Sequence, residues 1–171
     1  MRRLHGAYLI AASLLMCSFN LMAGSDAFKP GPVLKDYGKI ADVETSVTIP
    51  KEMKFKVVFD MSKAAEPGRV NRSLDTLARF INMHVANGVK QENLFLALVV
   101  HGSATEEMLK SDLFKQRKGQ PNSNEALLTA LMKQGVEVIV CGQSAAAHGV
   151  EKNALIDGIK MDLSAMTAHA R

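Results

Sequence analysis

Seven consecutive residues, Leu94–Val100 (LFLALVV), carry no polar side chain. Such a run reads as a strand with apolar side chains on both faces, which requires cover on both faces. A parallel sheet packed against helices provides that cover, so the run predicts a central strand of an α/β sheet. Three further segments fit the same sheet. Phe55–Met61 (FKVVFDM) is a strand broken by Glu66, Pro67 and Gly68, and the β-branched run Val136–Cys141 (VEVIVC) is another buried strand. Ile159, Met161 and Leu163 alternate with Lys160 and Asp162, the pattern of a strand with one wetter face near the sheet edge.

Helical patterns fill the intervals. Leu74, Leu77, Ala78, Ile81 and Val85 form one apolar stripe, with Asn71 or Ser73 available as cap and Gly88 as stop; His84 is placed on that helix's surface. Thr105–Lys110 predicts a short helix and Ser111–Ser123 a long polar loop. Asn122 and Glu125 resemble a capping pair ahead of Glu125–Gln134, which turns Leu127, Leu128, Leu131 and Met132 inward. Ala145–Ala147 favours a short helix that Gly149 ends, and Ser164 caps a last one, Ala165–Ala170. Strands alternating with helices, joined by right-handed crossovers, bring all four carboxyl ends to one rim. Asp60, His101, Cys141 and Ser164 stand at those ends.

The chain opens with Arg2 and Arg3, an apolar run Ala7–Met22, and then small residues up to Ala27. That order predicts a signal peptide, residues 1–27, cleaved before Phe28 or alternatively after Ala23, and a periplasmic or secreted product with no stable membrane insertion. Met16 before Cys17 argues against a lipidated cysteine. Residues 28–50, with Pro30, Pro32 and Pro50, predict an extended arm with a short strand near Val47–Ile49; residues 51–171 form the α/β domain.

Loss of Arg2, Arg3 and Asp26 lowers the formal net charge of +4 by one, and the lysines are scattered. With few aromatic residues and no Trp, no nucleic-acid surface is predicted. The glycines fit neither a dinucleotide nor a phosphate-loop pattern, and the histidines show no zinc-ligand spacing, so neither cofactor nor metal is expected.

Cys17 leaves with the signal, so the mature chain carries one thiol, Cys141, where a strand feeds a helix start. Two readings stand side by side: a small apolar residue finishing a buried strand, or a thiolate stabilised by free amides. In the second, His101 is the base candidate by position, ahead of His148. Asp60 would orient a base, Gly142 permits the turn, and Gln143 and Ser144 offer donors for an anion. Asn122, in the polar loop, completes the binding candidates.

GPVLKDYGKI, KVVFDM, LVVHG, NEALLTALMKQGVEVIVCGQSAAAHGV and GIKMDLSAMTA, spread from about Val33 to Ala168, give the chain its likeness. Over that span it resembles the DsrE/DsrF-like family in its single-domain exported branch. The resemblance implies a small flavodoxin-like parallel sheet of four to five strands with helices on both faces, assembled as a trimer or hexamer. It also implies a cysteine, here Cys141, that carries a persulfide between thiol or sulfur donor and acceptor proteins. Relatives continue past the SAMTA-like helix into a last strand that has no counterpart here, leaving a sheet edge bare or covered by a partner or by the arm. The expected function is therefore sulfur handling by persulfide or mixed disulfide on Cys141, carrier chemistry whose status as an enzyme stays open. The alternatives are a non-catalytic binding or assembly module using the same rim as a ligand pocket, and a redox-sensing thiol.

Overall fold

A computed structural model describes residues 24–171; the expected signal peptide lies almost wholly outside them. Four strands, β1 (Phe55–Met61), β2 (Leu94–Val100), β3 (Glu137–Cys141) and β4 (Lys160–Asp162), form one parallel sheet in sequential order. Each strand pairs with the next, so LFLALVV is interior, as its composition predicts, and the three-residue β4 is an edge. The register Met61↔Val100, Val100↔Val140 and Cys141↔Asp162 aligns the carboxyl ends along one rim.

Right-handed crossovers that always step the same way deposit their helices on the same face. Helices α1 (Arg72–Ala86) and α3 (Glu125–Lys133) accordingly pack there, Leu74, Leu77, Ile81, Leu127, Leu128 and Leu131 closing over Leu96, Leu98, Val100, Val138 and Val140. Among the described residues the opposite face receives only α5 (Ala165–His169), whose Ala165 and Ala168 cover Val99 and Ile139. Both faces carry helix, but unequally. Five residues cannot roof four strands, and Val58 and Phe95 on that face stay 46% and 50% exposed. The uniform apolarity of LFLALVV overstates its burial for this reason.

Three local expectations change. His84 is buried rather than on the surface: its ring lies 4.5 Å from that of Phe55 and 3.9 Å from that of Phe80, and Nδ1 donates to the Phe80 carbonyl at 2.7 Å. Much of the polar loop Ser111–Ser123 is helix α2 (Ser111–Lys118), because Phe114 finds a place in the core. Glu125 caps that helix and not its own: its carboxylate accepts from the Ser111 amide at 3.1 Å. Two very short helical segments complete the rim, the 3-10 helix Gly102–Met108 and α4 (Gly142–Ala147).

The arm has no strand at 47–49, where Val47 is exposed; its one bridge is Lys29↔Ile40. Nor does it cover a sheet edge over its first half, where it is tied to α1. Asn82, fully buried, accepts from the amides of Val33 and Leu34 and donates to the carbonyls of Leu34, Tyr37 and Gly38. Gly38 sits at φ +58 with its Cα against α1, where a Cβ would lie 2.2 Å from the Arg79 nitrogen. One polar residue inside an apolar stripe thus anchors a segment forty-odd positions away, and its own hydrogen-bonding capacity is filled in doing so.

Candidate functional site

Side chains alternate across a strand. Val99 and Ile139 face α5, so Cys141, two residues beyond Ile139, faces α5 as well, and the register sets Asp60 of β1 opposite Val99 on that side. Three of the four rim residues expected from the sequence, Asp60, His101 and Cys141, therefore share the face on which α5 lies.

Cys141 is the N-cap of α4. Its sulfur accepts from the Ser144 amide at 3.4 Å, and the Ser144 hydroxyl and the amides of Ala165 and Gln143 are close enough to favour the thiolate. The donors come from the start of α4 and, in Ala165, from the start of α5. Burial pushes the thiol pKa up, but these hydrogen bonds outweigh it and hold Cys141 below its ordinary value. The residue is only 5% exposed. The sulfur is covered, as a structural cysteine would be, while its surroundings favour the thiolate.

Ser144 links two strand ends. Its Oγ accepts from the Gly102 amide at 3.1 Å while its own amide donates to the sulfur. Gly142 is required by close approach, since a Cβ there would lie 2.7 Å from the Asp162 carbonyl oxygen at the end of β4. Gln143 is exposed, and its amide nitrogen reaches the Leu163 carbonyl at 3.4 Å. Ser164 caps α5, accepting from the Thr167 amide at 3.1 Å.

His101 does not bond the sulfur. Its Nε2 lies 3.1 Å from both oxygens of Asp60. His169, from the last turn of α5, places its own Nε2 2.9 Å from Asp60 Oδ1. Burial pushes the Asp60 carboxyl up, but the hydrogen bonds from His169 and then His101 outweigh it and hold it below the ordinary carboxylate range. Among the described residues no group of three or more His, Cys, Asp and Glu is arranged to hold a metal ion; the imidazoles serve the carboxylate as hydrogen-bond donors. His148 caps the far end of α4, where Arg117 binds its carbonyl oxygen.

Asn122 is not brought to this rim. Its side chain donates to the carbonyls of Glu107 and Leu109 and accepts from the Asn124 amide, the work of a buried turn residue.

A comparison with protein-family profiles decides the kinship: the DsrE/DsrF-like family matches residues 53–171, from just before β1 to the last residue. The chain belongs to the DsrE/DsrF-like family. No curated protein sequence matches it. Among solved structures, a protein of unknown function, MTH1491 from Methanobacterium thermoautotrophicum, is similar with a TM-score of 0.52 at 19% identity, over 69% of this chain and 90% of that one. The ychN protein from E. coli gives a TM-score of 0.45 at 21% identity, over 67% and 91%. The first supports the DsrE-type, flavodoxin-like architecture of this family member and nothing finer.

Two site features escaped sequence reasoning. His169 is one; its signal is that it follows Ala165 by four positions and so shares a helix face with the amide end over Cys141. The other is Glu107, only 4% exposed, which holds the loop after β1 by accepting from the Ala65 amide at 2.8 Å and the Asn71 side chain at 2.7 Å. No pattern announces it, for Glu106 beside it is an ordinary ion-pair partner of Lys118.

Proposed function

We propose that this DsrE-family member is an exported sulfur-handling protein that carries sulfur as a persulfide, or a mixed disulfide, on Cys141. The observation that carries the reading is the convergence of amide and hydroxyl donors on one sulfur, which stabilises the thiolate that sulfur exchange needs. The thiolate attacks the outer sulfur of a donor persulfide. A new sulfur–sulfur bond forms on Cys141, the donor's own sulfur–sulfur bond breaks, and the electron pair leaves with the donor thiolate, so no external oxidant is needed. An acceptor thiolate then repeats the exchange. Ser144 and the neighbouring amides hold the anion; His101 keeps Asp60 ionised at the rim and is a proton-handling group one strand away.

Export rests on the charge and apolar pattern of residues 1–27. Self-association as a trimer or hexamer rests on family likeness and on the open sheet face at Val58 and Phe95. Donor and acceptor proteins would meet the rim at the strand ends.

The test is intact mass after incubation with a sulfane-sulfur donor. Wild type should gain the mass of one sulfur atom, removable by reductant, and Cys141→Ser should gain none. A wild-type protein that stays unmodified sinks the carrier reading. The near-complete burial of Cys141 favours a second reading, a binding or assembly module whose cysteine is structural; it forecasts no covalent sulfur in either protein.

A further inference from the structure

What covers Cys141 is thinly held. Helix α5 is five residues long, far below the length at which a helix sustains itself. It presses only two small side chains, Ala165 and Ala168, onto Val99 and Ile139, while Met166 points to solvent at 81% exposure. Burial of two methyl groups does little to hold a helix down. The remaining attachments are polar: Ser164 caps its start, the Ala165 amide lies on the Cys141 sulfur, and His169 binds Asp60 at 2.9 Å. Just beyond, Arg171 binds Asp162 at 2.6 Å. The chain enters α5 through Leu163, which is largely exposed and is held by polar contacts, its carbonyl 3.4 Å from the Gln143 side chain and its amide donating to Asp162 at 2.7 Å. An element with few apolar contacts and exposed polar ties belongs to the low-stability part of a fold.

We propose that α5 is a hinged cover over Cys141 and that His169 is its latch, a positioning residue acting through Asp60. The carboxylate is shared: His101, just past the end of β2, binds both its oxygens and so turns it toward α5, where His169 takes Oδ1. Closed, the latch keeps the Ala165 amide on the sulfur and keeps reagents off it. Open, the sulfur loses that donor and gains a path to solvent, the condition in which exchange with another thiol can occur. The same side chains thus separate holding sulfur from passing it on. This deepens the reading of Cys141 as a sulfur carrier and rests on it, yet its test does not pass through sulfur loading.

The experiment is iodoacetamide labelling of the full chain, read by mass on the Cys141 peptide so that Cys17 does not contribute, at a pH where the thiol is fully ionised, with urea denaturation run alongside. Loss of one net hydrogen bond corresponds to roughly a fivefold larger open population. His169→Ala should therefore label roughly fivefold faster than wild type. His169→Gln, which keeps a side-chain N–H donor, should stay near the wild-type rate. In an Asp60→Ala background the His169→Ala change should add nothing, since both remove the same tie. Equal rates for wild type and His169→Ala overturn the latch, and so does full additivity with Asp60→Ala. Should His169→Ala fail to fold, hydrogen exchange on wild type decides. Exchange of the Thr167 and Ala168 amides by local opening, at a rate that tracks Cys141 labelling, supports the cover; exchange only through global unfolding overturns it. A wild type that takes up no sulfur while His169→Ala still labels faster removes the carrier reading and leaves the cover standing.

Discussion

The amide of Gly102 donates to the hydroxyl of Ser144 across 3.1 Å, joining the turn after β2 to the helix that opens on Cys141. The Ser144 amide donates to the sulfur at 3.4 Å, and its hydroxyl is among the groups that lower the thiol pKa, so one residue ties both strand ends to Cys141.

Ser144→Ala should therefore act twice. With the Gly102 amide left without its partner, stability should fall by about 1–3 kcal/mol, read from urea denaturation. The thiol should also titrate at higher pH, read as thiolate absorbance against pH. The sign is fixed by linkage. A folded thiol with a depressed pKa contributes stability that is present above the ordinary thiol value of about 8.5 and is lost as pH falls through the folded value. Wild type should gain stability over that window, and the variant should gain less. Identical titration curves would show that the hydroxyl does not reach the sulfur.

Asn82→Ala tests the arm. Backbone groups at Val33, Leu34, Tyr37 and Gly38 would lose their partner together, and a loss of about 3 kcal/mol is expected from unsatisfied buried groups. Limited proteolysis should cut between residues 29 and 50 long before the sheet is attacked. If the arm stays protected while stability falls, Asn82 serves α1 alone.

Glu107 sets a pH dependence of the opposite sense. Burial pushes its carboxyl above the ordinary range, against the opposing hydrogen bonds from Ala65, Asn71 and Asn124. Between the ordinary value of about 4.3 and the raised one, the folded chain holds a proton that the unfolded chain has lost, so this group's contribution weakens as pH rises. Glu107→Gln removes the titration. Its stability relative to wild type should improve from pH 4.5 toward neutrality, as followed by denaturation midpoints; a constant difference between the two proteins would place the buried proton elsewhere.

What could be read from residues alone follows from what residues encode locally. LFLALVV and VEVIVC declare strands, alternation declares which side chains share a face, and Asp60, His101 and Cys141 were legible as one rim. Strand order is not written in any single segment, and it is strand order that puts every crossover helix on one side and leaves Phe95 half exposed. The return of α5 across the sheet was equally out of reach, since five residues around two alanines carry no signal of where they dock. His169 stayed hidden with it. Asn82 hid inside a convincing apolar stripe because its partners lie in the arm, more than forty positions earlier. Asn122 was recognisable as a turn former, but its side chain is spent on the Glu107–Leu109 backbone and not on the rim.

Sequential strand order also has a meaning in time. Each βα unit can add to the edge left by the one before it, so β1, β2 and β3 can assemble as the chain emerges, through contacts between neighbours. Cys141 closes the third strand, whereas the helix that shields it comes from residues made later. A newly synthesised molecule therefore passes through a stage with its sheet largely built and its only described thiol bare, one donor short. Were the chain to mature in an oxidising compartment, that interval would be its chemical childhood, the moment when stray disulfides form, and the docking of α5 would bring it to an end.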